Sequence, residues 1–404
     1  MKKIFKFYAL AFVSLIALSS CSDSDDGNSK KTYPLTVNFT LGDELSADNI
    51  SDAKLVFTNK KGNDTVALSN LGTNTLEMYK GSYKVSFIGK VTDEASAYVT
   101  GATSVDIYSE QSITLNLSKV NKSTLVFKTI YMTGGAQYYM LDGYVEIANN
   151  SDEVQYLDQL ILFTSYGDQK QANAFQANGI TDLYPSAQGA VVAFPGTGHD
   201  YPLLPGQFVV IANEAMNHKL AYGDDESKIA DYAKSPDLSN ADWEIYLGTG
   251  DINYEAPDLT TIYSNNKYMK AWGLGVFGRT YILAKLPAGM TPETFGSDPA
   301  NMQNEPGTTS SFSRSLMLPS KYVLDAVDTY SSTTSAEDHY CTLLPKDDAT
   351  GVQNNEAYSG KALRRKVSSI VNGRVYYQDT NNSANDFMNN QDNTPGWVPT
   401  SVNN

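Results

Sequence analysis

The chain has 404 residues, 41% of them hydrophobic and 19% charged, and its 30 Lys and Arg face 45 Asp and Glu for a formal net charge of −15. Nucleic-acid binding depends on Lys and Arg neutralising phosphates, so this acidic balance excludes nucleic acid as an expected partner. Twenty-seven tyrosines against three histidines point to β-structure with many turns, and the length allows two or three packed domains.

At the N-terminus, Lys2, Lys3 and Lys6 precede the apolar run Ala9–Leu18, and two serines then lead into Cys21. This is the layout of a secretory signal, residues 1–20. A membrane-spanning helix needs ~20 apolar residues, so the run is too short to stay as an anchor. Leu18-Ser19-Ser20-Cys21 resembles the lipobox of bacterial lipoproteins. The resemblance implies that Cys21 becomes the mature N-terminus and is acylated on its thiol and its amine, and several acyl chains together hold a protein on a membrane. Loss of the leader removes three lysines and no acid, leaving 27 basic against 45 acidic residues. With Cys21 lipidated, Cys341 has no partner for an intrachain disulfide.

Residues 21–33 are polar and suit a flexible tether. The cluster Ser22, Asp23, Ser24, Asp25 and Asp26 directly follows the cysteine. It resembles the export signal of Bacteroidota lipoproteins, which implies display on the outer face of the outer membrane. The plain alternative is an acidic spacer.

From residue 34 to 119 the chain reads as a small β-sandwich. Leu35, Val37, Phe39 and Leu41 alternate with Thr36, Asn38 and Thr40, the period-two pattern of a half-buried strand. Six more strands are expected at Ala53–Thr58, Asp64–Leu68, Thr75–Met78, Ser82–Gly89, Ala97–Ile107 and Ser112–Leu117, separated by turn residues such as Lys61-Gly62-Asn63-Asp64 and Lys80-Gly81. Gly81-Ser82-Tyr83-Lys84-Val85 resembles the "G-x-Y-x-V" strand of prealbumin-like or carboxypeptidase-regulatory-like modules, which are spacers or interaction platforms. A short break is expected at Val120-Asn121-Lys122-Ser123.

The remainder, residues 123–404, carries a second pattern. Gly143–Ser151, with Glu146 and Asn149, resembles the "Y-[IV]-E-[IL]-x-N-x-[ST]" strand of the lamin-tail domain. Val154, Leu157, Leu160 and Leu162 fit the strand that follows in that family. Leu203–Ala212 resembles its "L-x-P-G-[QE]-[FY]" element, and Gly360–Arg365, Asp379–Ser383 and Thr394-Pro395-Gly396 its closing pattern. The resemblance implies an immunoglobulin-like sandwich with large insertions, chiefly Ser165–Tyr201 and Glu214–Ser359. The whole layout also resembles an uncharacterised Bacteroidota surface lipoprotein family. The fold class expected is therefore all-β, with two sandwich domains. Val145 and Ile147 should face one way and Tyr144 and Glu146 the other. A mid-strand carboxylate needs a partner, for which Arg364 or Arg365 is the candidate. Asp379–Asn393 reads as an ordered closing loop, with Asp379 among the side chains that satisfy its turns. Met216–Asp231 is the one stretch with helical periodicity, interrupted by Gly223.

Chemistry-bearing motifs are sparse. His339 and Cys341 could face one another on a strand, but a nucleophile also needs an orienting third group, and a lone cysteine in a β-protein is more often a buried hydrophobe. His199, His218 and His339 lack metal-ligand spacing, so neither a metal nor another cofactor is expected. Gly223–Glu226 and Asp379–Asp386 offer oxygen ligands for structural calcium, although solvated Asx turns explain them better. Gly196–Asp200 reads as a turn, not a phosphate cradle. Trp243, Tyr246, Tyr254, Tyr263, Tyr268 and Trp272 form the most aromatic part of the long insertion. They read either as core of extra strands, Trp243 above all, or as the preferred surface for stacking a ligand.

The resulting expectation is a non-catalytic, lipid-anchored ligand-binding or accessory protein at the outer membrane, with an outer-membrane nutrient transporter as candidate partner and a glycan, peptide or other nutrient as ligand. The alternatives are an extracellular glycan or peptide hydrolase, and an adhesin or structural surface component.

Overall fold

The computed structural model describes residues 31–402 except 43, 60–61, 93–96, 188, 248–254, 267 and 274. Cys21 and the acidic cluster Ser22–Asp26 lie outside the described residues, as does Tyr254. The architecture is all-β, and the chain divides into two units after Asn121. Among the described residues no helix is long and apolar enough to cross a membrane.

In the first unit seven strands follow one another: β1 (Thr32–Leu41), β2 (Ile50–Asn59), β3 (Gly62–Ala67), β4 (Asn74–Tyr79), β5 (Gly81–Val91), β6 (Ala97–Ile107) and β7 (Gln111–Asn121). They are ordered β3-β2-β5-β6-β7-β1-β4. β7 joins the two faces of the sandwich, because Gln111–Leu117 run parallel to β1 while Ser118–Asn121 pair antiparallel with β6. Leu35 and Val37 of β1 share one core with Leu55 and Phe57 of β2 and with Tyr83, Val85 and Phe87 of β5. Phe39 meets Phe87 edge-on at 5.5 Å. All seven expected strands form. The expected break Val120–Ser123 contains the division after Asn121, although Val120 still pairs with Tyr98 and is buried.

A continuous 12-stranded sheet builds the second unit. Its two halves close on a core that includes Phe127, Val145, Ile147, Leu162, Val192, Ile211 and Leu283. The strands Leu125–Tyr131, Tyr144–Asn149, Phe208–Ala212, Lys361–Arg365 and Phe387–Asp392 lie in one half, and Leu160–Ser165 lies in the other. The expected insertions are structural. They supply six of the twelve strands: Ala190–Ala193, Trp243–Ile245, Asp258–Ser264, Thr280–Lys285, Val323–Tyr330 and Val352–Gln353. A second apolar layer, including Phe163, Ile282, Phe295 and Leu318, covers the outer face of one half.

The helical periodicity of Met216–Asp231 is interrupted in the structure as it is in the sequence. The stretch breaks into 3-10 turns at His218–Leu220 and Glu226–Lys228 and a single helical turn at Ile229–Tyr232, because Gly223 between them takes φ +60°. The Asp379–Asn393 segment is more than a loop: Ser383–Asp386 forms a helical turn and Phe387–Asp392 an edge strand on Lys361–Arg365.

Candidate functional site

The aromatic insertion is mostly interior. Trp243 is 4% exposed on a central strand, wedged edge-on between Phe194 and Tyr201 at 4.9 Å from each. Trp272 is 1% exposed and packs on Tyr281, with its backbone N–H donating to Asn213 Oδ1 at 2.9 Å. Tyr263 is half-buried and donates its hydroxyl to Arg314 O at 2.5 Å. Tyr246 and Tyr268 are exposed. Without its two tryptophans the expected stacking surface loses its anchors. Strand Trp243–Ile245 runs parallel to both neighbours at the centre of the sheet, where both faces are covered.

The charged residues of the family-like strands are buried and paired, although not as expected. Glu146 is bound by Lys128 Nζ at 2.8 Å, by the Thr129 hydroxyl and by the Gly396 amide at 2.6 Å, and not by Arg364 or Arg365. Lys128 lies one strand away, opposite Glu146 across the register shift at Phe127/Thr129. Arg364 instead stacks on Trp397 at 4.2 Å and donates to Asp392 O at 2.6 Å. Arg365 sits among three carboxylates, Asp325 at 2.6 Å, Asp379 at 3.3 Å and Asp386 at 3.8 Å. Its guanidinium supplies the positive charge that calcium would otherwise bring to the Asp379–Asp386 segment. Asn149 ties its strand to the following turn, donating to Glu153 O and Leu203 O and accepting from the Ser151 amide.

Cys341 and His339 lie in irregular backbone, not on a strand. The thiol donates to Asp348 O at 3.4 Å, and burial pushes its pKa well up, opposite to what a nucleophilic thiolate needs. His339 bonds Asp328 at 2.7 Å and stacks on Tyr330. In Gly196–Asp200 the amides of Gly198 and Asp200, with that of Tyr201, all bind the Asp158 carboxylate, so the loop is internally satisfied. Gly223–Glu226 is an exposed turn. Among the described residues no group of three or more His, Cys, Asp or Glu is placed to hold a metal ion.

A different place gathers exposed aromatic and charged side chains. A solvent-open groove of about 610 Å³ is lined by the Gly135–Tyr138 turn, by Lys228, Ala230, Asp231, Tyr232 and Lys234, and by Ala357 and Tyr358. Such a volume suits a small-molecule site. Two of its walls are matching turns. In one, the Tyr139 amide donates to Ala136 O at 3.0 Å and the third residue, Tyr138, has φ +62°. In the other, the Ser359 amide donates to Glu356 O at 3.2 Å and the third residue, Tyr358, has φ +59°. That position in such turns favours glycine or asparagine. A bulky residue held there is a strained outlier, and strain of this kind clusters at functional sites. The two rings meet edge to face at 5.9 Å, with Tyr138 79% exposed.

The walls are fixed from beneath. One oxygen of the buried Asp142 accepts from the Gly135 amide at 2.9 Å, the Ser235 hydroxyl at 2.7 Å and the Tyr131 hydroxyl at 3.0 Å. Burial raises the Asp142 pKa. A Cβ on Gly135 would lie 2.6 Å from the Ser235 amide nitrogen, so only glycine lets these walls approach this closely. Tyr139 packs on Tyr232 at 5.1 Å and shares a 2.6 Å hydrogen bond with His218 Nδ1. His218 Nε2 donates to Glu214 O at 2.9 Å, and burial lowers the pKa of the ring. The neutral tautomer with its proton on Nε2 therefore fits the site.

Sequence reasoning missed this groove because its walls come from residues more than two hundred positions apart. The available signals were the Tyr138-Tyr139 pair after a Gly-Gly turn and the broken periodicity of 216–231.

The sequence family described as a protein of unknown function (DUF4876) matches residues 204–394, a stretch that contains Lys228–Lys234 and Tyr358 but not Tyr138. The crystal structure of a DUF4876 family protein from Bacteroides thetaiotaomicron is similar at a TM-score of 0.56 and 22% identity, covering 90% of this chain and 99% of that one. The two chains share a fold. A DUF3823 family protein from Parabacteroides merdae aligns over 33% of this chain and 66% of its own at 12% identity, with a TM-score of 0.16. No curated protein matches the chain.

Proposed function

We propose that this chain is a lipid-anchored binding protein of the outer-membrane surface, which holds its ligand without catalysis in the tyrosine groove and works beside a nutrient transporter. The observation that carries the binding role is the pair of left-handed tyrosines, Tyr138 and Tyr358, whose rings meet edge to face on the groove's lining. Strain at two matched turns costs stability and is retained where it positions side chains for use. The lining holds one carboxylate, Asp231, whereas glycoside hydrolysis generally needs a flanking pair; this favours binding over turnover. The leader, Cys21 and the acidic cluster support the address.

Two experiments test the reading. Cys21→Ala should abolish retention in the outer-membrane fraction, and replacing Asp23, Asp25 and Asp26 by Ala should keep the lipid but remove sensitivity to protease added to intact cells. Shaving of the triple variant at the wild-type rate would end the surface assignment. Untargeted ligand capture by the full-length chain should recover compounds that the Tyr138→Ala/Tyr358→Ala variant fails to recover. Identical recovery by both proteins would end the groove assignment.

A further inference from the structure

We infer that the ligand of this groove is a neutral oligosaccharide, an inference that rests on reading the groove as the binding site. The lining contains tyrosine rings, alanines, glycine and the polar Gln137, Lys228, Asp231 and Lys234, with no leucine, isoleucine, valine, methionine or phenylalanine. An aliphatic or lipid ligand needs an apolar cavity, and this lining offers none. A pyranose ring has C–H faces that lie against aromatic rings and a rim of hydroxyls that both donate and accept. Tyr138 and Tyr358, inclined at 61°, offer two differently oriented faces, which suits successive sugar units that turn relative to one another better than it suits a single flat ring.

A peptide would be recognised by strand addition or by a side-chain hole. The walls are turns and a short helical segment, not a sheet edge, and their amides at Tyr139, Tyr358, Ser359 and Gly360 already donate to carbonyls. A polyanion would need surplus positive charge. Here Lys228 stands 3.7 Å from Asp225 and Asp231 lies on the same wall, so the two lysines are balanced by two carboxylates. These charges remain useful as donors and acceptors for hydroxyls.

The test uses the full-length chain in detergent, passed over immobilised neutral oligosaccharides (gluco-, manno-, xylo- and galacto-series), polyuronate fragments and a mixed peptide digest. Wild type should be retained on at least one neutral series with little dependence on salt. Aromatic anchors dominate binding at a hot spot, so Tyr138→Ala and Tyr358→Ala should each weaken retention roughly tenfold or more. Unchanged melting of Tyr138→Ala, whose ring is largely exposed, confirms that the loss is not unfolding. Tyrosine-dependent retention on polyuronates or peptides alone overturns the neutral-sugar inference and leaves the groove as a binding site. Tyrosine-independent behaviour on every probe overturns both.

Discussion

The two units are held together differently. Among the described residues of the first, Ser86 and Thr100 are the only buried polar side chains, and its strands close on an apolar core. The second encloses Lys128, Asp142, Glu146, Asp158, Asp328 and Arg365, among others. These side chains bind backbone amides and each other across long sequence separations: Asp142 joins Gly135 to Ser235, Asp325 binds the Phe127 amide, and Asp348 binds Ser383. A regular sheet satisfies its own backbone through its ladders, whereas long irregular connections need other partners for theirs. The buried charges of the second unit do that work, and the turns they fix include those that carry the groove.

The largest effects should separate the units. Arg365→Ala leaves Asp325, Asp379 and Asp386 without their cation, and breaking a buried ion pair costs about 3–5 kcal/mol. Denaturant unfolding followed by hydrogen exchange should show the second unit destabilised by that much and the strands of the first unmoved. Equal loss in both would mean that the units do not unfold independently. Trp243→Ala should cost about 3–5 kcal/mol as a core truncation; a near-neutral melt would return this residue to the surface.

Asp142→Ala is expected to cost stability on the same scale and to be decisive for the groove. It strips one acceptor from three buried donors, at about 1–3 kcal/mol for a group left unsatisfied, and frees Gly135 from Ser235. Ligand retention should fall along with the melt. Retention at wild-type strength would show that the groove does not depend on its buried support.

The His218 pH response should be smaller and belongs to the second unit. Burial lowers the His218 pKa from 6.5, with Asp142, Asp237 and Tyr139 around it. The unfolded chain therefore takes up a proton more readily. The associated stability is present above pH 6.5 and is lost as pH falls through the lower folded value. Asp142 acts in the opposite sense: burial raises its pKa, so the stability linked to its protonated form is lost as pH rises through that raised value. The margin by which wild type outmelts His218→Gln should therefore shrink between about pH 7 and about pH 5. An unaltered slope in the variant would remove His218 from the account.

The same contrast decides what could be read from sequence. β1 advertises itself through Leu35, Val37, Phe39 and Leu41, and each hairpin of the first unit is flagged by local turn residues. In the second unit Leu125–Tyr131, Tyr144–Asn149 and Leu160–Ser165 are buried at every position, so alternation carries no signal there. The family-like motifs located four of its strands, and the aromatic stretch hinted at extra ones, but no motif marked the insertions as forming half the sheet. Glu146 was recognisable as a carboxylate needing a partner. Its partner Lys128 was not, because the pairing is set by a register shift between neighbouring strands. The groove was illegible for a related reason: a tyrosine forced into a left-handed turn looks like any other tyrosine until the backbone is known.

The smallest expected effect tests the central claim most directly, namely that Tyr138 is held in strain for its use and not for the fold. Asparagine tolerates the left-handed region, whereas most L-residues lose roughly 1–2 kcal/mol there. Because the Tyr138 ring is 79% exposed, Tyr138→Asn sacrifices little packing. The unliganded variant should match wild type or gain up to about 1 kcal/mol in denaturant unfolding while losing its ligand. A loss of about 1 kcal/mol or more, on the scale of an ordinary destabilising substitution, would contradict the claim and make Tyr138 part of the scaffold.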